Sequence, residues 1–196
     1  MQQDRSRRSN RERSDATRTA LIEAGRRLFV EKSYAETSTP DLVAEAGLTR
    51  GALYHHFADK QALFRAVVEA ESAAVAKEIE CAAPAGLMPL EALRKGGEAF
   101  LASMRAPGRT RLLLLDGPAV LGRREMDEID RAHAGRTLCE GLQAAMEAGA
   151  IRKLPVDPLA ALRGAAYDRA ALGIEAGGSA GEYETLLSAL VEGLTT

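Results

Sequence analysis

Residues Thr37 to Lys60 read TSTPDLVAEAGLTRGALYHHFADK. Thr39-Pro40 is an N-cap followed by proline at the first helical position, which predicts a short helix from Pro40 to Ala46 that Gly47 stops. Leu48 and Thr49 form the turn, and Thr49 caps a helix from Arg50 to Phe57, about 12 Å long at 1.5 Å per residue. At 100° per residue Leu53 and Phe57 project to one side, while Arg50, Gly51, Tyr54 and His55 share the opposite sector. The pattern is helix, glycine turn, helix.

A helix-turn-helix braces its first helix across a DNA backbone and lays its second in the major groove, so the second must be short, cored on one side and polar on the other. Arg50 has the fork that matches guanine O6 and N7, or neutralises a phosphate. Gly51 and Ala52 keep the helix thin, and Ala52 suits a thymine methyl. Tyr54 and His55 offer an O–H and an N–H to phosphate oxygens. Lys60 adds a cation to the positive end of the next helix, an expected phosphate clamp; Thr39 sits similarly at its own helix start, and Thr49 is a further candidate DNA contact. The plain alternative is a helical hairpin whose exposed face happens to be polar.

Working outward, Leu21, Ala24, Gly25, Leu28 and Phe29 fall at i, i+3, i+4, i+7 and i+8, predicting a first helix over about Asp15 to Lys32. Asp59 caps a fourth that runs from Lys60 to about Ala82. Beyond Pro84, Gly86 and Pro89, helices are expected at Leu90 to Met104, Arg109 to Leu121, Arg123 to Ala148, Pro158 to Ile174 and Ala180 to Leu194. Strand alternation is absent over any useful length. The expected fold class is all-α, about nine helices, with no internal repeat.

The 196 residues, 46% hydrophobic and 28% charged, suffice for one or two globular domains and exclude disorder as the main state. Residues 1–65 carry 12 Lys+Arg against 9 Asp+Glu, a balance of +3; residues 66–196 carry 14 against 19, a balance of −5. A basic front and an acidic rear imply a polyanion-binding head on a differently employed body. The excess lies in Arg5, Arg7, Arg8, Arg11 and Arg13, which read as a solvated flexible arm or as a phosphate-contacting one. No stretch is apolar enough to span a membrane, and MQQDRSRRSN has no apolar core of a signal peptide. Two cysteines, Cys81 and Cys139, exclude a disulfide framework and make a reducing cytoplasm the expected compartment.

Residues 16–75 resemble the N-terminal domain of the TetR family of bacterial transcriptional repressors. The resemblance rests on Leu21-Ile22-x-Ala24, Leu28-Phe29, Thr37-Ser38, the run Ala46-Gly47-Leu48-Thr49-Arg50-Gly51-Ala52-Leu53-Tyr54-His55-His56-Phe57, and Asp59-Lys60-x-x-Leu63. It implies that helix 3 reads an operator, that helix 4 leads to a ligand domain, and that the last two helices of each subunit form a four-helix dimer interface. By that resemblance Arg50, Gly51, Ala52, Tyr54, His55 and Lys60 inherit DNA contacts. Two positions depart from the family pattern: Ser33 stands where glycine is common after helix 1, and Pro40 where a polar residue is common in helix 2.

The expected division is an Arg-rich arm over 1–14, a DNA-binding domain over 15–75, and a helical effector-binding and dimerisation domain over 76–196. A weaker likeness of Arg111-x-x-Leu114-x-Asp116-Gly117-Pro118 to a subgroup of such regulators extends into the last part. Asp116 follows four leucines and is expected to pair with Arg111 or another arginine, or to meet a ligand. Phe100, Met104, Leu113, Asp116, Val120, Ile129, His133 and Met146 are candidates to line an effector cavity, although helical apolar residues are core first. Asp130-x-x-His133 has metal-ligand spacing, yet two ligands make no site, so no metal and no cofactor are expected. The stripes Leu159, Leu162, Ala166, Ala170 and Leu186, Leu187, Leu190, Val191, Leu194 must be covered, within the monomer or across a twofold axis. The reading is a homodimeric repressor released from a palindromic double-stranded operator by an unknown small molecule, with no membrane partner. An activator, a ligand-independent regulator or a helical enzyme are the alternatives, the last without any catalytic set in the sequence.

Overall fold

The computed structural model describes residues 2–84 and 86–195, with side chains from Arg11 onward. The described residues fall into two units, one up to Ala70 and one from Glu71. In the first, the stripe Leu21, Ala24, Leu28 and Phe29 lies buried on helix α1 (Gln2–Glu36), α2 (Thr39–Glu45) contributes Leu42, and α3 (Arg50–His56) contributes Leu53. They close against Leu63, Phe64 and Val67 on α4 (Lys60–Ala82). The ring of Phe29 stands 5.1 Å from that of Phe64, and Tyr34 lies 5.0 Å from Phe64. Gly25 lets α1 approach, since a Cβ there would stand 3.2 Å from Val67.

Three local expectations change. Helix α1 begins at Gln2 rather than Asp15, because no proline or glycine interrupts the chain before Gly25. The backbone of the expected arm is therefore helical from Gln2, while the side chains of Arg5, Arg7 and Arg8 lie outside the described ones. The cap of α2 is Ser38, one residue before Thr39: Ser38 Oγ accepts from Asp41 N–H, and Asp41 Oδ2 accepts from Ser38 N–H at 3.2 Å. Only with Asp41 three residues on can both bonds of a capping box close. Thr49 caps α3 as expected, accepting from Ala52 N–H at 3.2 Å.

The second unit continues along α4 into α5 (Pro89–Met104), α6 (Arg109–Arg111), a π-helical turn (Leu112–Asp116), α7 (Gly117–Leu121), α8 (Arg123–Ala132), α9 (Ala134–Glu147), α10 (Val156–Glu175) and α11 (Ala180–Glu192). Leu93 of α5, Leu142 and Ala145 of α9, Ile151 of the segment before α10, and Ala160 of α10 form a buried core. The expected helix over Arg109 to Leu121 contains the π turn, in which Gly117 N–H reaches back to Leu112 O; Pro118 has no N–H with which to restore the α register. The helix expected from Arg123 to Ala148 is two, broken at His133 (φ −125°, ψ −105°). There the Asp130 side chain lies against Gly135 at the start of α9, where a Cβ would stand 2.5 Å from Asp130 Oδ2. Among the described residues no helix is long and apolar enough to cross a membrane.

Candidate nucleic-acid interface

Leu53 and Phe57 sink into the N-terminal core, so helical periodicity turns Arg50, Gly51, Tyr54 and His55 outward, and all four are exposed. Ala52 is half-buried at the edge of this face. Thr39 of α2 comes to the same place: the Arg50 guanidinium first, then the Thr39 hydroxyl, lower the pKa of the Tyr54 phenol from its ordinary value. The Arg50 guanidinium carbon lies 6.0 Å from the centre of the Tyr54 ring. Three of the expected contact residues therefore lie together, Arg50 and Tyr54 exposed and Thr39 half-buried, bearing a cation and two hydroxyls. Thr49 is consumed in capping.

Lys60 has a different position from the expected one. It is half-buried, and its Nζ donates to Tyr34 O at 2.8 Å and to Thr37 O at 2.9 Å while lying 4.1 Å from the Tyr34 ring centre. Two of an ammonium's three N–H bonds are thus spent inside the protein. The corner they tie follows Ser33, at φ 78° and ψ 165°, whose carbonyl accepts from Thr37 Oγ1 at 2.6 Å. At the end of α3, burial above all, then His55 and Arg18, lowers the pKa of His56 from its ordinary value. Arg18 lies 5.2 Å over the Phe57 ring and was not singled out by sequence, because it flanks rather than joins the α1 stripe.

In the C-terminal unit a cleft of about 290 Å³ opens between α5, the following turn and α10. Of the eight residues expected around an effector, Met104 lines it; the others are placed elsewhere. Leu113 and Ile129 are core, Val120 is half-buried, Met146 packs on the Leu142 cluster, and Asp116 accepts from Arg111 Nε at 3.2 Å. The break at His133 removes the helical register on which its pairing with Asp130 depended. Phe100 lies half-buried with its ring 5.8 Å from that of Tyr167. The cleft's remaining walls include Leu101, Ala171 and Ile174, apolar positions of α5 and α10 that sequence cannot distinguish from core.

Two buried features of this unit had no sequence forecast. Arg109 Nε donates to Glu71 Oε2 at 2.9 Å, and its Nη1 to Glu78 Oε1 at 3.0 Å and to Ser103 Oγ at 2.8 Å. Burial, reinforced by Asp130 and opposed by Arg123, pushes Asp168 up to about 7.

The expected dimer stripes divide. Leu162, Leu186 and Leu190 are 73%, 63% and 58% exposed, an open apolar face on α10 and α11. Ala166 is half-buried, Ala170 is buried in its own unit, and Leu159 and Leu194 pack on their own core.

The family described as bacterial regulatory proteins, tetR family, matches residues 21–67, and the tetracyclin repressor-like C-terminal domain matches residues 90–194. A TetR-family transcriptional regulator from Pectobacterium atrosepticum is 32% identical in its crystal structure, with a TM-score of 0.74 over 95% of this chain and 97% of that one. A TetR family regulator from Marinobacter aquaeolei shares the fold at 20% identity, with a TM-score of 0.70 over 94% of this chain and 98% of the other. HTH-type transcriptional regulator TtgR of Pseudomonas putida is 39% identical over 62 residues, 32% of this chain and 30% of that protein. HTH-type transcriptional regulator AcrR of Shigella flexneri is 32% identical over 108 residues, 55% of this chain and 50% of that one. The chain thus spans from about a third to half the length of these curated relatives. Matched in both its parts and along nearly all of a solved relative, the chain belongs to the TetR family of bacterial regulatory proteins.

Proposed function

We propose that this protein is a cytoplasmic, homodimeric transcriptional repressor that binds a palindromic operator through α3 and leaves it when a small molecule binds the C-terminal unit. Residues 15–75 act as the DNA-binding head, preceded by the basic segment 1–14, and 76–196 as the effector and dimerisation body. The observation that carries the reading is the bare Arg50, Gly51, Tyr54 and His55 side of α3, raised on the buried Leu53 and Phe57. Arg50 supplies a fork for a guanine edge, Gly51 and Ala52 close approach, and Tyr54, His55 and Thr39 neutral donors to phosphate. Lys60 keeps one N–H for phosphate while its other two hold the corner beneath.

The apolar face of Leu162, Leu186 and Leu190 supports pairing of two copies through α10 and α11, and twofold pairing would present two recognition helices to two half-sites. Release follows by linkage: an effector that prefers a conformation with a different head spacing withdraws the protein from the spacing the operator prefers. The test is a gel-shift series across salt on a duplex selected from a randomised pool. Arg50→Ala should weaken that duplex by about tenfold or more and relax preference at one base position, as expected for a lost bidentate contact. Unchanged affinity and unchanged preference would refute the assignment.

A further inference from the structure

Arg163 of α10 is only 8% exposed, although it carries a guanidinium. Its Nη2 donates to the Tyr167 hydroxyl at 3.1 Å, and its Nη1 is buried without a hydrogen-bond partner among the described residues. The other strongly buried arginine of this unit shows what the fold ordinarily provides, since Arg109 has Glu71, Glu78 and Ser103 around it. A buried guanidinium met only by a neutral phenol lacks the counter-charge that a dry environment demands.

Arg163 lies on the face of α10 that is buried within its own unit. It belongs to the buried stripe Ala160, Arg163, Tyr167, Ala170 and Ala171, turned toward the interior of its own unit, whereas Leu162 faces outward. The Tyr167 hydroxyl lies directly over Gly97 of α5, where a Cβ would collide with it, and Phe100 packs edge-on against the Tyr167 ring. Beside Tyr167 is an opening of about 10 Å³, bounded by Gly97, Leu101 and Leu187, with Glu98 and Glu184 at its polar margin and Glu98 tied to Arg94. Leu101 also walls the 290 Å³ cleft, which continues along α10 past Ala171 to Ile174. From Arg163 to Ile174 the helix rises about 16 Å.

We infer that Arg163 and Tyr167 form an anion site in the seam between α5 and α10, and that the effector is an amphipathic carboxylate whose head pairs with Arg163. Its apolar tail runs past Leu101 toward Met104 and Ile174. The assignment deepens the proposed effector-controlled function and rests on it for the consequence of binding, not for binding itself. The carboxylate accepts from the free Nη1, and the Tyr167 hydroxyl is the second donor. Entry requires the Leu101 side chain to turn, which joins the small opening to the larger cleft.

The test uses the full chain without DNA. Octanoate and decanoate are titrated by calorimetry and by thermal melting, beside octanol and octanamide. The carboxylates should bind and raise the melting temperature, and the alcohol and amide should bind at least tenfold more weakly. Arg163→Met should abolish the difference between carboxylate and alcohol while melting no lower than the parent, because an apolar replacement relieves an unpaired buried charge. Arg163→Lys and Tyr167→Phe give further readouts if the methionine variant fails to fold, with carboxylate affinity reduced in each. Equal binding of carboxylate and alcohol, no binding of either, or carboxylate binding unchanged by Arg163→Met or Arg163→Lys would overturn the site. A lower melting temperature with loss of the dimer in Arg163→Met would overturn it too, by showing that the guanidinium is paired across subunits. Octanoate binding that leaves the selected duplex bound would support the site and refute effector release.

Discussion

Ser33 and Gly122 occupy nearly the same backbone conformation, φ 78° and ψ 165° for the serine and φ 84° and ψ 158° for the glycine. This region is open almost exclusively to glycine, and a side chain held there costs about 1–3 kcal/mol. The surrounding bonds explain why the serine stays: Thr37 Oγ1 donates to Ser33 O at 2.6 Å, and Lys60 Nζ clamps Tyr34 O and Thr37 O just beyond. Ser33→Gly removes the steric penalty and restores part of the unfolded chain's freedom, an offset of about 0.5–1 kcal/mol. The difference, about 0–2.5 kcal/mol, centres on a gain of about 1 kcal/mol, or a few degrees in melting temperature at this chain length. Urea unfolding followed by circular dichroism should show a higher midpoint with an unchanged slope. Gly122→Ser, its mirror image in the C-terminal unit, should lose about 1–3 kcal/mol. A midpoint for Ser33→Gly at or below the parent, together with a harmless Gly122→Ser, would refute the argument that these torsions carry strain.

Lys60→Met should destabilise the N-terminal unit by about 2 kcal/mol, since two carbonyls lose a charged donor at a half-buried corner; chemical denaturation measures it, and an unchanged midpoint would mean that water replaces both bonds. Arg109→Met should destabilise by about 3 kcal/mol, because it removes the cation beside the buried Glu71 carboxylate, whereas Glu78→Gln, half-exposed, should shift stability by less than about 1 kcal/mol. For Asp168 the folded pKa of about 7 stands above the unfolded value, so its contribution is fully present below about pH 4 and declines as pH rises to about 7. Asp168→Asn should therefore melt higher than the parent at pH 8 and show no advantage at pH 4; parallel melting curves across that range would contradict the placement of the carboxylate.

Most of the N-terminal unit was legible because its determinants are local. A cap, a glycine stop and a 3.6-residue period lie within a few residues of one another, and they place Leu53 and Phe57 beneath Arg50, Tyr54 and His55 before any tertiary contact is known. The cap of α2 was read one residue late because both Ser38 and Thr39 are competent caps, and the reciprocal bond of Asp41 decides between them.

What tertiary structure alone decided involves partners far apart in the chain. Lys60 turns inward because Tyr34 and Thr37 present carbonyls 26 and 23 residues earlier. Arg109 is satisfied by Glu71 and Glu78, 38 and 31 residues away, while Arg163, placed just as deeply, has only the neighbouring Tyr167. Helical periodicity states which residues share a face, and the amphipathic sequence of α5 and α10 says that their faces are apolar. Whether two such faces meet as solid core or part around a cleft depends on side-chain volumes brought together across helices, which no single helix encodes.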